Sequence, residues 1–105
     1  MDDDANPAYK VDHLPRVLHQ LHQLSAQARK RGISKSLVTA LKKARDFCRE
    51  QPKDWGDPVR NTILEGGIVY RGICKPVVVE YAVFDNERAV VILSVYAFPG
   101  SGFDE

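Results

Sequence analysis

Twenty residues near the C-terminus, Val77 to Tyr96, constrain the fold more than any other part of the sequence. They form two runs of β-branched and aromatic residues, VVVEYAVF and AVVILSVY, separated by the polar tetrapeptide DNER at positions 85 to 88. Two such runs around a short polar break are typical of a β-hairpin. Because both faces of each run are largely apolar, we expect central strands, with helices covering one face and a shallow hydrophobic surface on the other.

Two amphipathic helices are predicted before the hairpin. Apolar residues recur with helical spacing in two segments, and Gly32 and Pro52 mark where the helices end. The apolar stripes consist of Leu14, Val17, Leu18, Leu21, Leu24 and Ala28 in the first helix and of Leu37, Val38, Leu41, Ala44, Phe47 and Cys48 in the second. A connection of about two residues makes the helices fold back on each other. We therefore expect the apolar surface that they share to be buried against a sheet.

The sequence also predicts how each helix begins. Asp12 is expected to cap the first helix, and Pro15 fits its first turn, where a missing N–H has no intrahelical partner. Ser34 is expected to cap the second helix. Ile33 precedes that cap, and we expect it to pack on Val38 as a hydrophobic staple.

The remaining segments supply short strands and one loop. Tyr9 to Val11 alternates as a short strand, and Ile68 to Cys74 alternates as a longer one. Gln51 to Pro58 is a turn-rich connection, and Trp55 is expected to anchor it to the edge of the core. Val59 to Glu65 is ambiguous between a strand and an irregular segment.

Together these elements predict an α+β fold, with an N-terminal short strand and a helical hairpin packed on a mostly antiparallel four-stranded sheet. We expect a flexible acidic tail over residues 1–8, a single domain over residues 9–98 and a C-terminal tail over residues 99–105. The longest apolar runs are four or five residues, far short of the roughly 20 that span a bilayer, and the N-terminus is acidic. A cytoplasmic protein without a membrane segment is therefore expected.

The sequence predicts no metal site and no cofactor. Cys48 and Cys74 fall among apolar neighbours without a C-x-x-C motif, which favours buried thiols over a disulfide or a zinc site. His19 and His22 share one helix face, but no cysteine or carboxylate lies within the next turn to complete a metal site.

The net charge of +1 conceals a strong asymmetry along the chain. Between His13 and Lys53 there are ten basic and only two acidic residues, whereas the rest of the chain carries twelve acidic and five basic residues. The candidate residues for binding RNA or a protein partner are Arg29, Lys30, Arg31, Lys35, Lys42, Lys43 and Arg49. Such a patch suits an anionic partner, and the alternative is an ordinary solvated helix face.

Three motifs in this order resemble the RelE/ParE superfamily of bacterial toxins from type II toxin–antitoxin systems. They are the opening Tyr-Lys-Val at positions 9 to 11, the loop Pro-x-x-Trp-Gly-Asp-Pro-x-Arg at positions 52 to 60, and the hairpin EYAVFDNERAVVILSV. The resemblance covers roughly Tyr9 to Tyr96. It implies an antitoxin protein as partner, and it implies either mRNA cleavage at the ribosomal A site, as in RelE-like members, or gyrase poisoning, as in ParE-like members.

The resemblance implies site residues only where this sequence matches the family. Arg71 falls about where RelE-like proteins carry a strand lysine, and Arg60 and Tyr96 complete the catalytic candidates. Cleavage through the RNA 2′-OH requires a base near that hydroxyl, a cation beside the phosphate and an acid for the leaving oxygen. Val78 stands where those enzymes carry an arginine, and residues 96–105 contain two acids and no lysine or arginine.

These departures leave two hypotheses open. In the first, the chain is a RelE/ParE-like toxin-family protein that binds an antitoxin and the ribosome or mRNA, and any activity is that of a ribosome-dependent mRNA endonuclease. In the second, it is a non-catalytic protein- or RNA-binding module on the same scaffold. The second hypothesis includes a homodimer formed through the sheet face or through an exposed edge strand.

Overall fold

The fold is a five-stranded sheet with two long helices packed on one face. A computed structural model describes residues 8–62 and 66–100, so most of both predicted tails lies outside the described residues. The elements in chain order are β1 (Lys10–His13), α1 (Pro15–Arg31), α2 (Ser34–Glu50), α3 (Pro52–Trp55), β2 (Asp57–Asn61), β3 (Gly67–Cys74), β4 (Val77–Phe84) and β5 (Ala89–Ala97). The predicted α+β class with its helical hairpin is confirmed, although the sheet has five strands rather than four.

The predicted hairpin lies at the centre of the sheet. The strand order is β1-β5-β4-β3-β2, in which β1 runs parallel to β5 and the other pairs are antiparallel. Phe84 pairs with Ala89 across the four-residue turn. In that turn the Arg88 N–H donates to the Asp85 carbonyl at 3.1 Å, and Arg88 adopts a positive φ of 48°. The backbone therefore reverses at the polar tetrapeptide that the sequence indicated.

The fifth strand, β2, lies at the edge of the sheet in a segment with an ambiguous sequence pattern. It pairs with β3 through a register shift between Pro58 and Arg60, and all of its residues are exposed. Proline lacks the N–H that a central strand needs, but an edge strand tolerates it on its outer side. A short, irregular strand with no buried face has no period-2 pattern, which explains why the sequence did not reveal it.

The two long helices end as expected but begin differently. Gly32 ends α1 in the left-handed conformation at φ +73°, as predicted. The predicted caps are wrong, because the N-cap positions are occupied by Leu14 and Ile33 without a side-chain cap hydrogen bond. Asp12 continues β1 in its pairing with β5, and Ser34 is already the first residue of α2. Sheet pairing and the tight helix connection therefore override the local capping preference.

The predicted apolar stripes are partly correct. Val17, Leu24 and Ala28 of α1 and Leu37, Ala40, Ala44 and Cys48 of α2 are buried in the core. Leu18 and Val38 are instead 51% and 49% exposed, so both lie outside the buried stripes. The predicted staple is wrong because Ile33 is itself the N-cap of α2, and not the residue before a Ser34 cap. The buried residues of α2 follow 3- and 4-residue spacing from Leu37, and Val38 lies about 100° around the helix from that line. No helix of the described segments is long and apolar enough to cross a membrane.

Four stacked aromatic rings join the helices to the sheet. Phe47 of α2 stacks on Trp55 of α3 at 5.1 Å between ring centroids, and Trp55 stacks on Tyr81 of β4 at 5.4 Å. Tyr81 in turn stacks on Tyr70 of β3 at 5.6 Å, and the interplanar angles of the three pairs are 16°, 8° and 11°. The prediction that Trp55 anchors the loop to the core edge is confirmed.

The hydroxyl group of Tyr81 fixes the loop that follows α2. The ring is fully buried, and its O–H donates to the Pro52 carbonyl at 2.6 Å while accepting the Gly56 N–H at 3.0 Å. A Cβ atom at Gly56 would lie 2.6 Å from this oxygen, and one at Gly72 would lie 2.7 Å from the Trp55 ring. Backbone and aromatic side chains therefore approach more closely here than any larger residue allows.

An ion-pair cluster closes the turn end of the sheet. Asp85 accepts hydrogen bonds from the Tyr9 hydroxyl at 2.8 Å and from Lys53 Nζ at 2.6 Å. The Arg88 guanidinium lies 4.3 Å from the centroid of the Tyr9 ring. These contacts connect the central hairpin to the segment before β1 and to α3. The Lys53 hydrogen bond, followed by the Tyr9 hydrogen bond, lowers the pKa of Asp85 below its ordinary value.

Both cysteines are free thiols. Cys48 is fully buried, and burial raises the pKa of its thiol to about 12. Cys74 is half-buried, and burial raises the pKa of its thiol as well. Neither thiol has the depressed pKa that a nucleophilic cysteine needs, which agrees with the structural role predicted for them.

Replacing Tyr81 with phenylalanine is expected to destabilise the fold. The Tyr81→Phe variant keeps the ring stack but leaves the Pro52 carbonyl and the Gly56 N–H without their buried partner. We expect a loss of about 1–3 kcal/mol in the free energy of unfolding, measured by urea denaturation. Tyr96→Phe is the matched control, because its hydroxyl is exposed and its removal should cost less than about 0.5 kcal/mol. Equal losses in the two variants would contradict this role of the Tyr81 hydroxyl.

The Asp85 cluster is expected to make stability depend on pH in the acidic range. Because the folded-state pKa of Asp85 is lowered, its contribution is complete above the ordinary value of 3.8 and is lost as the pH falls through the folded pKa. Asp85→Asn should therefore unfold at a lower urea concentration than wild type near neutral pH. The difference between the two unfolding midpoints should become smaller as the pH falls below 3.8. For Lys53→Met, the difference in unfolding midpoint from wild type should likewise become smaller at acidic pH. A difference that stays constant at every pH would contradict a stabilising charge on Asp85.

Candidate functional site

The sheet face opposite the helices carries the candidate site. In β4, Val77, Val79, Tyr81 and Val83 belong to the core under the helices, so the alternate residues of this strand point to the other side. We call that side the outer sheet face; its members include Val69, Arg71, Ile73, Val78, Glu80, Ala82, Phe84, Val91 and Tyr96. The face that was expected to form a shallow hydrophobic surface therefore also carries the charged residues Arg71 and Glu80.

The strand register arranges this face in rows. One row contains Ile73, Val78 and Tyr96 on adjacent strands. The next row pairs Arg71 with Glu80, and the row after that contains Val69, Ala82 and Val91. The charged row therefore lies between two apolar rows. A carboxylate in such surroundings needs cationic or hydrogen-bonding partners to offset its loss of water.

The three predicted catalytic residues converge on Glu80. Arg71 donates from Nε and from Nη2 to Glu80 Oε2 at 3.1 Å each, and the Tyr96 hydroxyl donates to the same oxygen at 3.3 Å. Arg60 Nη2 lies 3.8 Å from the other oxygen, Glu80 Oε1. We call these four residues the Glu80 cluster. The structure brings the predicted residues together, and their catalytic role stays a prediction.

The Glu80 cluster places its cations nearer to solvent than its carboxylate. The side chain of Glu80 is 15% exposed, whereas those of Arg71 and Arg60 are 44% and 55% exposed. The hydrogen bonds from Arg71 to Glu80 raise the pKa of Arg71 further, so the guanidinium stays charged. An anion in solution would therefore meet arginine before it met glutamate.

Each strand from β2 to β5 contributes one residue to the cluster. The aromatic stack holds the loop that leads into β2, the strand with an irregular register. Arg60 follows the loop whose Gly56 N–H donates to the Tyr81 hydroxyl. Asp57, the first residue of β2, pairs with Arg71 of β3. Because Tyr81 and Glu80 are neighbours on opposite faces of β4, one strand supports both the core and the site.

Glu80 is the member that sequence reasoning missed. It is the only charged residue in β4, within the run VVVEYAVF, and period-2 alternation already put it on the face away from Tyr81. A lone charge in a central strand is a usable indication of a polar site. Val78, the position at which the sequence resemblance led us to expect an arginine, is only 4% exposed and pairs with Tyr96.

A cleft of about 600 Å³ lies beside the Glu80 cluster on the outer sheet face. It is lined by Leu14, Arg60, Asn61, Thr62, Val69, Ala82, Phe84, Val91 and Leu93. Arg60 belongs to both the cleft and the cluster. The outer face therefore combines a charged group of donors with an adjoining apolar recess.

The predicted basic residues do not join this site. All seven are exposed, in the last turn of α1 and along α2, and the helices pack on the face away from Glu80. Lys35, Lys42 and Arg49 are spaced seven residues apart and so form one stripe along α2. The two sets of residues predicted from the sequence therefore lie on two separate surfaces, one on each side of the sheet.

The cluster has the groups that anion recognition and phosphate chemistry require. A guanidinium binds two oxygens of a phosphate or carboxylate, and a phenolic hydroxyl can donate to a third. A carboxylate is the type of group that accepts a proton in acid–base catalysis. Within residues 8–62 and 66–100 there is no group of three histidine, cysteine, aspartate or glutamate side chains that could hold a metal ion.

Comparison with known proteins gives structural matches only. No protein-family model matches the sequence, and no curated protein matches it at a significant level. One similar solved structure is the archaeal RelE-RelB complex from Pyrococcus horikoshii OT3, with a TM-score of 0.59 and 19% identity over 88% of this chain and 97% of the matched chain. At this identity the match shows the fold alone.

A second similar structure is the toxin–antitoxin complex RelBE2 from Mycobacterium tuberculosis. The TM-score is 0.62 and the identity is 25%, over 87% of this chain and 92% of the matched chain. Both matches therefore cover nearly the whole length of the matched chain. They confirm the resemblance that the sequence motifs indicated: the chain has the α+β fold of the RelE-like toxin superfamily.

Proposed function

We propose that this chain is the toxin-like component of a type II toxin–antitoxin pair and that it acts in the cytoplasm. The observation that carries the proposal is the near-complete structural match to chains from two toxin–antitoxin complexes of RelE and RelB type. An antitoxin is the partner that this match supports. The exposed basic residues of α1 and α2 suit an acidic segment of such a partner.

The Glu80 cluster supports an RNA site on the outer sheet face. In the proposed site Arg71 binds a phosphate, Arg60 adds a second positive charge, and Tyr96 donates a hydrogen bond or a proton. Tyr96 is 37% exposed and shares a row with exposed Ile73, with the buried Val78 between them, which suits contact with a nucleobase. If the site is active, its reaction is cleavage of mRNA on the ribosome, with the arginines stabilising charge on the phosphate.

Specific observations favour the second candidate, a non-catalytic binding module. Val78 is buried and apolar at the position of an expected cation, and no lysine or arginine follows Arg88 in the sequence. The Arg71 guanidinium is also bound to Glu80 rather than presented alone. In this candidate the same scaffold binds a partner, or a second copy of the chain, without cutting RNA.

Induced expression of the chain in growing bacterial cells tests the toxin proposal. We expect growth to stop and mapped mRNA 5′ ends to show codon-phased cuts. A small neighbouring reading frame with an acidic segment should restore growth when co-expressed, and its product should co-purify with the chain. Normal growth with intact mRNA would reject the enzymatic role, and co-purification without toxicity would select the non-catalytic module.

Arg71→Gln should lower the frequency of mRNA cuts about 100-fold, because it removes a cation beside the reacting phosphate. Arg45→Gln is the matched control: Arg45 also pairs with a carboxylate, Asp46 at 3.5 Å, but on the helical side of the molecule. The control should retain cleavage. Equal loss in both variants, at equal protein levels, would contradict a role for the outer sheet face.

The basic residues of α2 provide a separate prediction. Replacing Lys42, Lys43 and Arg49 together with glutamate should abolish the salt-sensitive RNA binding of this surface, seen as a weaker affinity and a smaller salt dependence in fluorescence anisotropy over a series of salt concentrations. All three residues are exposed, so the fold should tolerate the change. Unchanged affinity and salt dependence would remove RNA as the ligand of this surface and leave an acidic protein segment.

A further inference from the structure

We propose that Glu80 is an internal competitor for phosphate, occupying the position that an RNA phosphate oxygen takes when it binds the outer sheet face. This inference rests on the proposed RNA site and adds a restraint to it. Two N–H donors of Arg71 and the Tyr96 hydroxyl are already engaged by a carboxylate from the same chain. An RNA phosphate that uses these three donors must displace Glu80.

The geometry at Glu80 Oε2 is that of an occupied anion site. Three donors meet at this one oxygen, two from Arg71 at 3.1 Å and the Tyr96 hydroxyl at 3.3 Å. Guanidinium and hydroxyl donors bind carboxylate and phosphate oxygens through the same kind of charge-assisted hydrogen bond. A phosphate oxygen placed at the Oε2 position would therefore have the same three donors.

The surroundings of Glu80 explain why its carboxylate stays in that position. Its neighbours on β4 in the outer face are Val78 and Ala82, which are 4% and 1% exposed. A carboxylate turned toward those side chains would lose hydrogen bonds without gaining water. The arginines instead hold it, with Arg60 Nη2 at 3.8 Å from Oε1 and Arg71 on Oε2.

The difference in exposure makes displacement physically accessible. The arginine side chains are 44% and 55% exposed, so a phosphate can reach them from solvent without opening the sheet. Glu80 cancels one of their two positive charges, which weakens the attraction of any approaching anion. Glu80, which holds Arg60 and Arg71 close together, therefore also lowers the affinity of the site for RNA.

Glu80→Gln tests this competition because it keeps the size of the side chain and removes its charge. Binding of a fluorescein-labelled single-stranded RNA to the purified full chain should tighten about five- to tenfold at fixed salt, the order expected for one charge at contact distance near the surface. Inorganic phosphate should compete with the RNA at correspondingly lower concentration. Unchanged or weaker binding would overturn the proposal.

Two further variants separate local competition from a general change in charge. Glu87→Gln alters the net charge equally from the exposed turn, and it should leave RNA affinity within about twofold of wild type. The double variant Glu80→Gln with Arg71→Gln should lose the gain, because the released donors belong mainly to Arg71. An equal gain in Glu87→Gln, or a gain that survives in the double variant, would overturn the proposal.

A second substitution guards against a folding defect. Glu80→Thr places a β-branched residue suited to a central strand, and it should tighten RNA binding as Glu80→Gln does. Failure of both variants to gain affinity while their urea unfolding matches wild type would overturn the proposal. The binding assay needs neither cleavage nor an antitoxin, so a gain in affinity without cellular toxicity would reject the toxin proposal and retain the competition.

Discussion

The remaining structure depends on the stacking and hydrogen bonds of the buried Tyr81 side chain. Its ring is the third of four stacked rings that join α2, α3, β4 and β3, and its hydroxyl holds the loop backbone at Pro52 and Gly56. Burial raises the pKa of this hydroxyl, so it stays protonated near neutral pH and remains a donor to the Pro52 carbonyl. One side chain thus fixes where the chain leaves the helices and enters β2.

The same strand carries the central residue of the core and the central residue of the candidate site. Tyr81 points into the core and Glu80 points to the outer sheet face, because successive side chains of a strand alternate. The loop bound by Tyr81 leads to β2, which brings Arg60 to Glu80. Loss of the Tyr81 hydroxyl contact would therefore move a site residue on the opposite side of the sheet, without any direct contact between Tyr81 and the site.

Sequence patterns predicted those parts of the fold that repeat with a regular period. The hairpin over β4 and β5 was recognisable because two runs of β-branched and aromatic residues flank a polar break, and both helices because their apolar residues recur every three or four residues. The segment of the edge strand β2 stayed ambiguous, because pairing with β3 decides it. The helix starts were wrong, because the pairing of Asp12 in β1 and the tight connection between α1 and α2 decide them. In the site, Arg60, Arg71 and Tyr96 were proposed by resemblance, but only the strand register reveals that Glu80 joins them.

The two charged surfaces constrain any ligand that uses both. The basic stripe of α2 lies in the helical layer and the Glu80 cluster lies across the sheet from it, in a molecule whose smallest extent is 22 Å. Phosphates of a short single strand bound at Arg71 cannot reach Lys42 without passing around an edge of the sheet. Under the proposed function the two surfaces would therefore serve either two different partners, an RNA and an antitoxin, or one ligand large enough to enclose the domain. A large folded RNA would satisfy the second condition, because it would supply phosphates to the basic stripe while a single strand occupied the outer face.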